Sequence, residues 1–202
     1  MSVVSIGSEQ VMGQCNHEEA DTRIIVHVRH SLEGGAESVL VRTVDTDVVV
    51  ILVGKLHDLL AYNRRAKIWV AFGMGRHYSL IDINTICFTL GESKSRALPV
   101  FHAFTGCDCT SQFCGIGKMT AWRAWHLSQV TPALEHIAAH PFQHLSVSSE
   151  KFQMLERFTV IMYDQSSPLI SVNETRMMLF SKRNRDLDHI PPTQVKHSVN
   201  GS

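Results

Sequence analysis

A rhythm in the first half of the chain constrains its fold most strongly. Amphipathic segments with helix signals alternate with short runs of β-branched residues. "HEEADTRIIVHVRHSLEGG" opens on acids and closes on Gly34-Gly35, the signals that start and stop a helix. Its apolar residues Ala20, Ile24, Ile25, Val28 and Leu32 fall on one helical face. "ESVLVRTV", from Glu37 to Val44, is short and β-branched, as a buried strand is. "DTDVVVILVGKLHDLLA" follows; its second half reads as helix, while Val48–Val53 fits helix or strand by periodicity. "AKIWVAFG" predicts a second buried strand. "RHYSLIDINTICFTLG" predicts a short edge strand and then a helix ending at Gly91. "ESKSRALPVFHAFTG" predicts another helix, with Pro99 either kinking it or opening its second part. This alternation predicts an α/β fold with a parallel sheet. In such sheets, ligands bind beyond the carboxyl ends of the strands.

After Thr120 the pattern turns helical, through "AWRAWHL", "TPALEHIAAH", "SSEKFQMLERFTVIMY" and "VNETRMMLF". The tail from Ser181 has little to bury and is expected to be loose at its end. With 202 residues, 44% apolar and 19% charged, the chain reads as an ordinary soluble protein with a real core. Nineteen basic residues balance nineteen acidic ones, so net charge names no partner and a nucleic-acid footprint must be local. No apolar run is long enough to span a bilayer, and "MSVVSIGSEQ" lacks the head and core of a signal peptide. Five cysteines without disulfide-framework spacing predict reduced thiols in an intracellular compartment, nuclear or cytoplasmic.

Three acidic groups stand where such a fold places active sites. Asp45 and Asp47 follow the first predicted strand directly, and Glu18, Glu19 and Asp21 lie at the start of the first helix. Asp108 lies in "FTGCDCTSQFCGIGKMTAW". Hard divalent cations take oxygen ligands, and a pair of them ~4 Å apart can clamp both oxygens of a phosphodiester displacement. Each cluster also has a plainer reading: acids cap helix N-termini, where negative charge is favoured.

In order, these residues resemble the motifs of the flap-endonuclease branch of the PIN-like nucleases. "EAD" (Glu19, Asp21) is similar to its helix-start acidic pair, "DTD" (Asp45, Asp47) to the pair after the next strand, and "TGCD" (Asp108) to its later aspartate. "GIGK" (Gly115, Ile116, Gly117, Lys118) resembles the glycine-rich hairpin that grips a nucleic-acid backbone. More closely, "NHEEADTRI", "DTDVVVI", "FHAFTGCDCTSQFCGIGKMTAW" and "IPPT" resemble a large group of mostly uncharacterised, multi-copy animal proteins associated with mobile elements. The resemblance implies a three-layer parallel sheet followed by a helical hairpin and C-terminal helices. It implies a partial PIN-like domain over residues 1–145, with a helix-hairpin-helix region near 105–126, and a helical extension over 146–202. It implies that Glu19, Asp21, Asp45, Asp47 and Asp108 hold one or two Mg²⁺ or Mn²⁺ ions, and that Gly115, Gly117 and Lys118 contact nucleic acid. The family opens with a central strand bearing a further aspartate. Nothing before Glu18 matches it, so the domain is expected to lack its first strand and to be either a nuclease or a non-catalytic interaction module.

Other readings of the same residues compete. Cys107, Cys109 and Cys114 with His102 offer a Cys₃His zinc set, although Cys-x-Cys is short for a knuckle. "GIGK" lacks the longer spacing and Ser/Thr of a P-loop, and "AFGMGRHY" lacks the third glycine of a dinucleotide fingerprint. Trp122 and Trp125, three apart, are expected in a helical core rather than stacked on bases. His136, His140 and His144 recur every four residues, but Pro141 is expected to break a shared metal face.

Overall fold

The computed structural model of the chain describes residues 17–107, 110–181 and 190–192, with side chains from Arg23 onward. Over these residues the elements run α1 (His17–Glu33), β1 (Ser38–Thr43), α2 (Thr46–Leu59), β2 (Lys67–Phe72), β3 (Ser79–Asp82), α3 (Ile83–Leu90), α4 (Glu92–Phe104), α5 (Lys118–Leu127), α6 (Thr131–Ala139), α7 (Glu150–Tyr163) and α8 (Val172–Ser181). The chain is mixed α/β, with one three-stranded sheet among the described residues, in the order β1-β2-β3. It divides into two compact units, Met1–Pro99 and Val100–Ser202.

The first unit holds the sheet. β1 and β2 run parallel, in register from Ser38↔Lys67 to Thr43↔Phe72. β3 pairs with β2 antiparallel, from Trp69↔Asp82 to Phe72↔Ser79, so the sheet is mixed and not all-parallel as expected. The reason is the length of the β2–β3 link. A parallel return needs a crossover of about a dozen residues or more, whereas residues 73–78 hold only a tight bend with a 3₁₀ turn at Gly75–His77. Gly73 opens that bend at φ 81°, and a Cβ there would lie 2.4 Å from the His77 carbonyl oxygen, so the bend requires glycine.

The ambiguous run Val48–Val53 is helix. Asp45 has extended backbone and its carboxylate accepts from the Asp47 N–H, which starts the helix just before that run. α2 then buries Val48, Leu52, Val53, Leu56 and Leu59 against Val39 and Val41 of β1 and Ile68 and Val70 of β2. Val28 and Leu32 of α1 and Ile83 and Cys87 of α3 complete this core. Full burial of each such Val, Leu or Ile contributes roughly 1.5–3 kcal/mol.

α3 is tied to the sheet by side chains. Asp82 caps it by accepting from the Thr85 N–H (3.0 Å) and hydroxyl (2.8 Å). The Asn84 amide accepts from Ile68 N–H (2.8 Å) and donates to the Ala66 carbonyl (3.0 Å). α4 runs through Pro99 without ending, and Pro99 rests on Gly54 of α2, where a Cβ would lie 2.4 Å from the proline Cγ.

The second unit is helical around an aromatic cluster. Phe101 stacks on Trp125 at 4.5 Å, and Phe158 lies 6.2 Å from Phe101 and 5.9 Å from Phe104. Trp125 is buried and donates its indole N–H to the Thr131 hydroxyl at 2.9 Å, so it is core, as its spacing predicted. The boundary expected near residue 145 falls inside this unit. α5 and α6 precede that position and α7 follows it, and α7 packs against both, because Ala121, Ala124, Leu134 and Phe158 are buried apolar residues that need each other. Among the described residues no helix is long and apolar enough to cross a membrane.

Candidate functional site

The link from β1 to α2 is two residues long, Val44 and Asp45. Thr43 Oγ1 accepts from the Asp45 N–H (3.0 Å), and Asp45 Oδ1 accepts from the Asp47 N–H (2.8 Å). These bonds fix Asp45 at the N-cap and Asp47 in the first turn of α2, both beyond the carboxyl end of β1. Asp45 is exposed and Asp47 half-buried. The capping reading therefore holds for Asp45, and it engages one carboxylate oxygen. The N-terminal end of the helix dipole stabilises both negative charges.

α1 reaches the same end by connectivity. Residues 34–37 join the end of α1 to the start of β1, so the helix runs back along the sheet, packed on α2 and β1. Its 17 residues span about 25 Å and the six of β1 about 20 Å, which brings its N-terminal turns to the level of the β1 carboxyl end. Glu19 and Asp21 are in those turns; their side chains lie outside the described residues. Asp108 and Cys109 lie outside them altogether.

Asp45 and Asp47 present oxygen donors, the kind that hard divalent cations take.

In the second unit, Gly115 has φ 71°, and Gly117 is the N-cap of α5 without a side-chain cap. Lys118, expected to contact nucleic acid, is engaged within the chain. Its ammonium donates to the His102 carbonyl (2.6 Å) and the Thr105 hydroxyl (2.8 Å), and it lies 6.0 Å from the Phe101 ring centre. It neutralises the carboxyl-terminal end of α4, where a cation is favoured, and at most one of its three donors remains for any ligand. Nothing local in the sequence announces this bond, because its partners stand 13 and 16 residues earlier.

The thiols divide by environment. Cys114 is exposed, and Cys107 Sγ lies 3.3 Å from the Thr110 hydroxyl. Cys87 is buried and donates to the Val53 carbonyl. Burial pushes its thiol up to about 11, against a lowering hydrogen bond from Ser95, so it is a packing residue.

Sequence reasoning passed over His57. Its Nε2 is buried without a hydrogen-bond partner, on the wall of a groove of about 360 Å³ that Leu56, Leu60, Asn84 and Phe88 also line. The only sequence signal was one imidazole beside the apolar stripe of α2.

Comparisons with known proteins found no matching family model, no matching curated protein and no matching solved structure.

Proposed function

We propose that the chain is a metal-dependent nuclease-like domain acting on nucleic-acid phosphodiesters. The observation that carries this reading is the seating of Asp45 and Asp47 on the first turn of α2, beyond the carboxyl end of a strand in a parallel pair. That is the place where open α/β sheets bind ligands. In this reading Asp45 and Asp47, joined by Glu19 and Asp21 from the start of α1, hold Mg²⁺ or Mn²⁺. The cation supplies charge neutralisation and polarisation of a phosphoryl oxygen. The residues themselves fix its position: the Asp45 cap locks the turn, and the half-buried Asp47 limits the motion of its own carboxylate. The finer architecture, a three-layer PIN-like sandwich lacking its first strand, belongs to the same proposal. It is supported by the outer edge of β1, which pairs with no strand among the described residues.

A second reading, a non-catalytic nucleic-acid or protein interaction module derived from a mobile element, is favoured by Lys118. A cation bound to the α4 terminus is a poor phosphate anchor. Incubation of the protein with single-stranded and branched DNA and RNA plus Mn²⁺ separates the two. Cleavage that disappears in the Asp45→Asn/Asp47→Asn variant supports the nuclease. Cation-independent binding without cleavage, unchanged in that variant, supports the module and removes the nuclease reading.

A further inference from the structure

α6 ends at Ala139, and His140 is its C-cap, so Pro141 breaks the helix only after both His136 and His140 have been placed. The break leaves His144 beyond the helix, as expected, and leaves His136 and His140 one turn apart. The His140 N–H bonds to the His136 carbonyl at 2.9 Å, which keeps the final turn helical. The two ring centroids lie 4.6 Å apart, with the planes tilted by 33°.

The His140 ring has one nitrogen held. His140 Nδ1 lies 3.1 Å from the His136 carbonyl oxygen, which can only accept, so Nδ1 carries the proton and Nε2 the lone pair. Metal-ligating histidines are oriented in this way, by a second hydrogen bond from the ring nitrogen that does not bind the metal. An ion bonded at ~2.1 Å to one nitrogen of each ring would lie about 3.2 Å from both ring centres, and this centroid separation would then subtend about 90° at it. That angle is open to tetrahedral or octahedral coordination. The site lies at the carboxyl-terminal end of α6, where the helix dipole favours a cation. The charge of Lys151 acts on His136 and opposes a cation there.

We propose that His136 and His140 form a two-imidazole site for a borderline divalent transition metal of the Zn²⁺ or Ni²⁺ class, with water or a partner's side chain completing the coordination. This site is independent of the carboxylates at β1 and of the nuclease reading.

The test is calorimetric titration of the full chain with ZnCl₂ and NiCl₂ in a background of excess Mg²⁺, which occupies oxygen-donor sites and competes poorly for imidazole. The expected result is one ion per chain, with affinity falling roughly tenfold or more in His136→Ala and in His140→Ala. His144→Ala should bind as the unaltered chain does. Circular dichroism of each variant establishes that it is folded, and His136→Gln and His140→Gln replace any alanine variant that is not. No saturable binding by the folded chain, or equal affinity in folded variants of either histidine, overturns the proposal.

Discussion

Gly54→Ala pits helix propensity against packing. Position 54 is buried in the interior of α2, where alanine is favoured over glycine by about 1 kcal/mol. Propensity alone predicts stabilisation. A Cβ there would lie 2.4 Å from Pro99 Cγ and 2.8 Å from its Cδ. Favourable carbon contacts lie at roughly 3.5–4.0 Å, so the overlap exceeds ~1 Å against a ring that cannot rotate away. Overpacking of this kind costs about 1–3 kcal/mol. Taken with the propensity gain and the size of the overlap, a net loss of about 1–2 kcal/mol is expected in urea unfolding followed by circular dichroism. Pro99→Ala removes the obstructing atoms. In that background Gly54→Ala should regain its propensity and stabilise by up to ~1 kcal/mol, giving a coupling of about 2–3 kcal/mol in the double-mutant cycle. If Gly54→Ala stabilises the otherwise unaltered chain, or the cycle shows no coupling, the close seating of α2 on Pro99 is wrong.

Asp45→Ala should destabilise by about 1 kcal/mol through loss of the α2 cap, whereas Asp45→Asn, which can still accept from the Asp47 N–H, should change stability little; thermal melts distinguish the two. Burial raises the Glu156 carboxyl, with Glu174 adding to it, against a lowering bond from the Val172 N–H. A carboxyl raised in the folded state weakens folding as pH climbs above the unfolded value of about 4.3. Glu156→Gln should therefore raise the melting temperature at pH 7, and the gain should vanish toward pH 4; a constant gain across this range argues against the titration. In native protein a thiol reagent at pH 7.5 should label Cys114 rapidly and Cys87 only on unfolding, as mass spectrometry of the labelled peptides can read.

Much of the first unit was legible because hydrophobic period and end signals agree there. The acids before Ile24, the glycines after Glu33 and the β-branched run at Ser38–Thr43 each had one reading, and the elements formed within a residue or two of it. Val48–Val53 was not decidable from periodicity, since an apolar run suits either state; the Asp45 cap settled it. The antiparallel β3 lay hidden in a link length whose meaning depends on strand order. The candidate site was legible as acids at strand and helix ends, because that placement follows from local signals. The partners of Lys118 and the close approach of the His136 and His140 rings were not, since both depend on where a helix stops in space. The packing of α7 on helices from both sides of residue 145 was not legible either, because it is a long-range preference that composition does not carry.

The central claim is that Asp45 and Asp47 form part of a cation site at the carboxyl end of β1. Its most direct measurement is Mn²⁺ titration, by electron paramagnetic resonance, of the unaltered chain and of Asp45→Asn/Asp47→Asn, a variant that can keep the α2 cap. The account predicts saturable binding that weakens at least tenfold in the variant while its melting temperature holds. Equal Mn²⁺ affinity in the two proteins, or no binding to either, contradicts it.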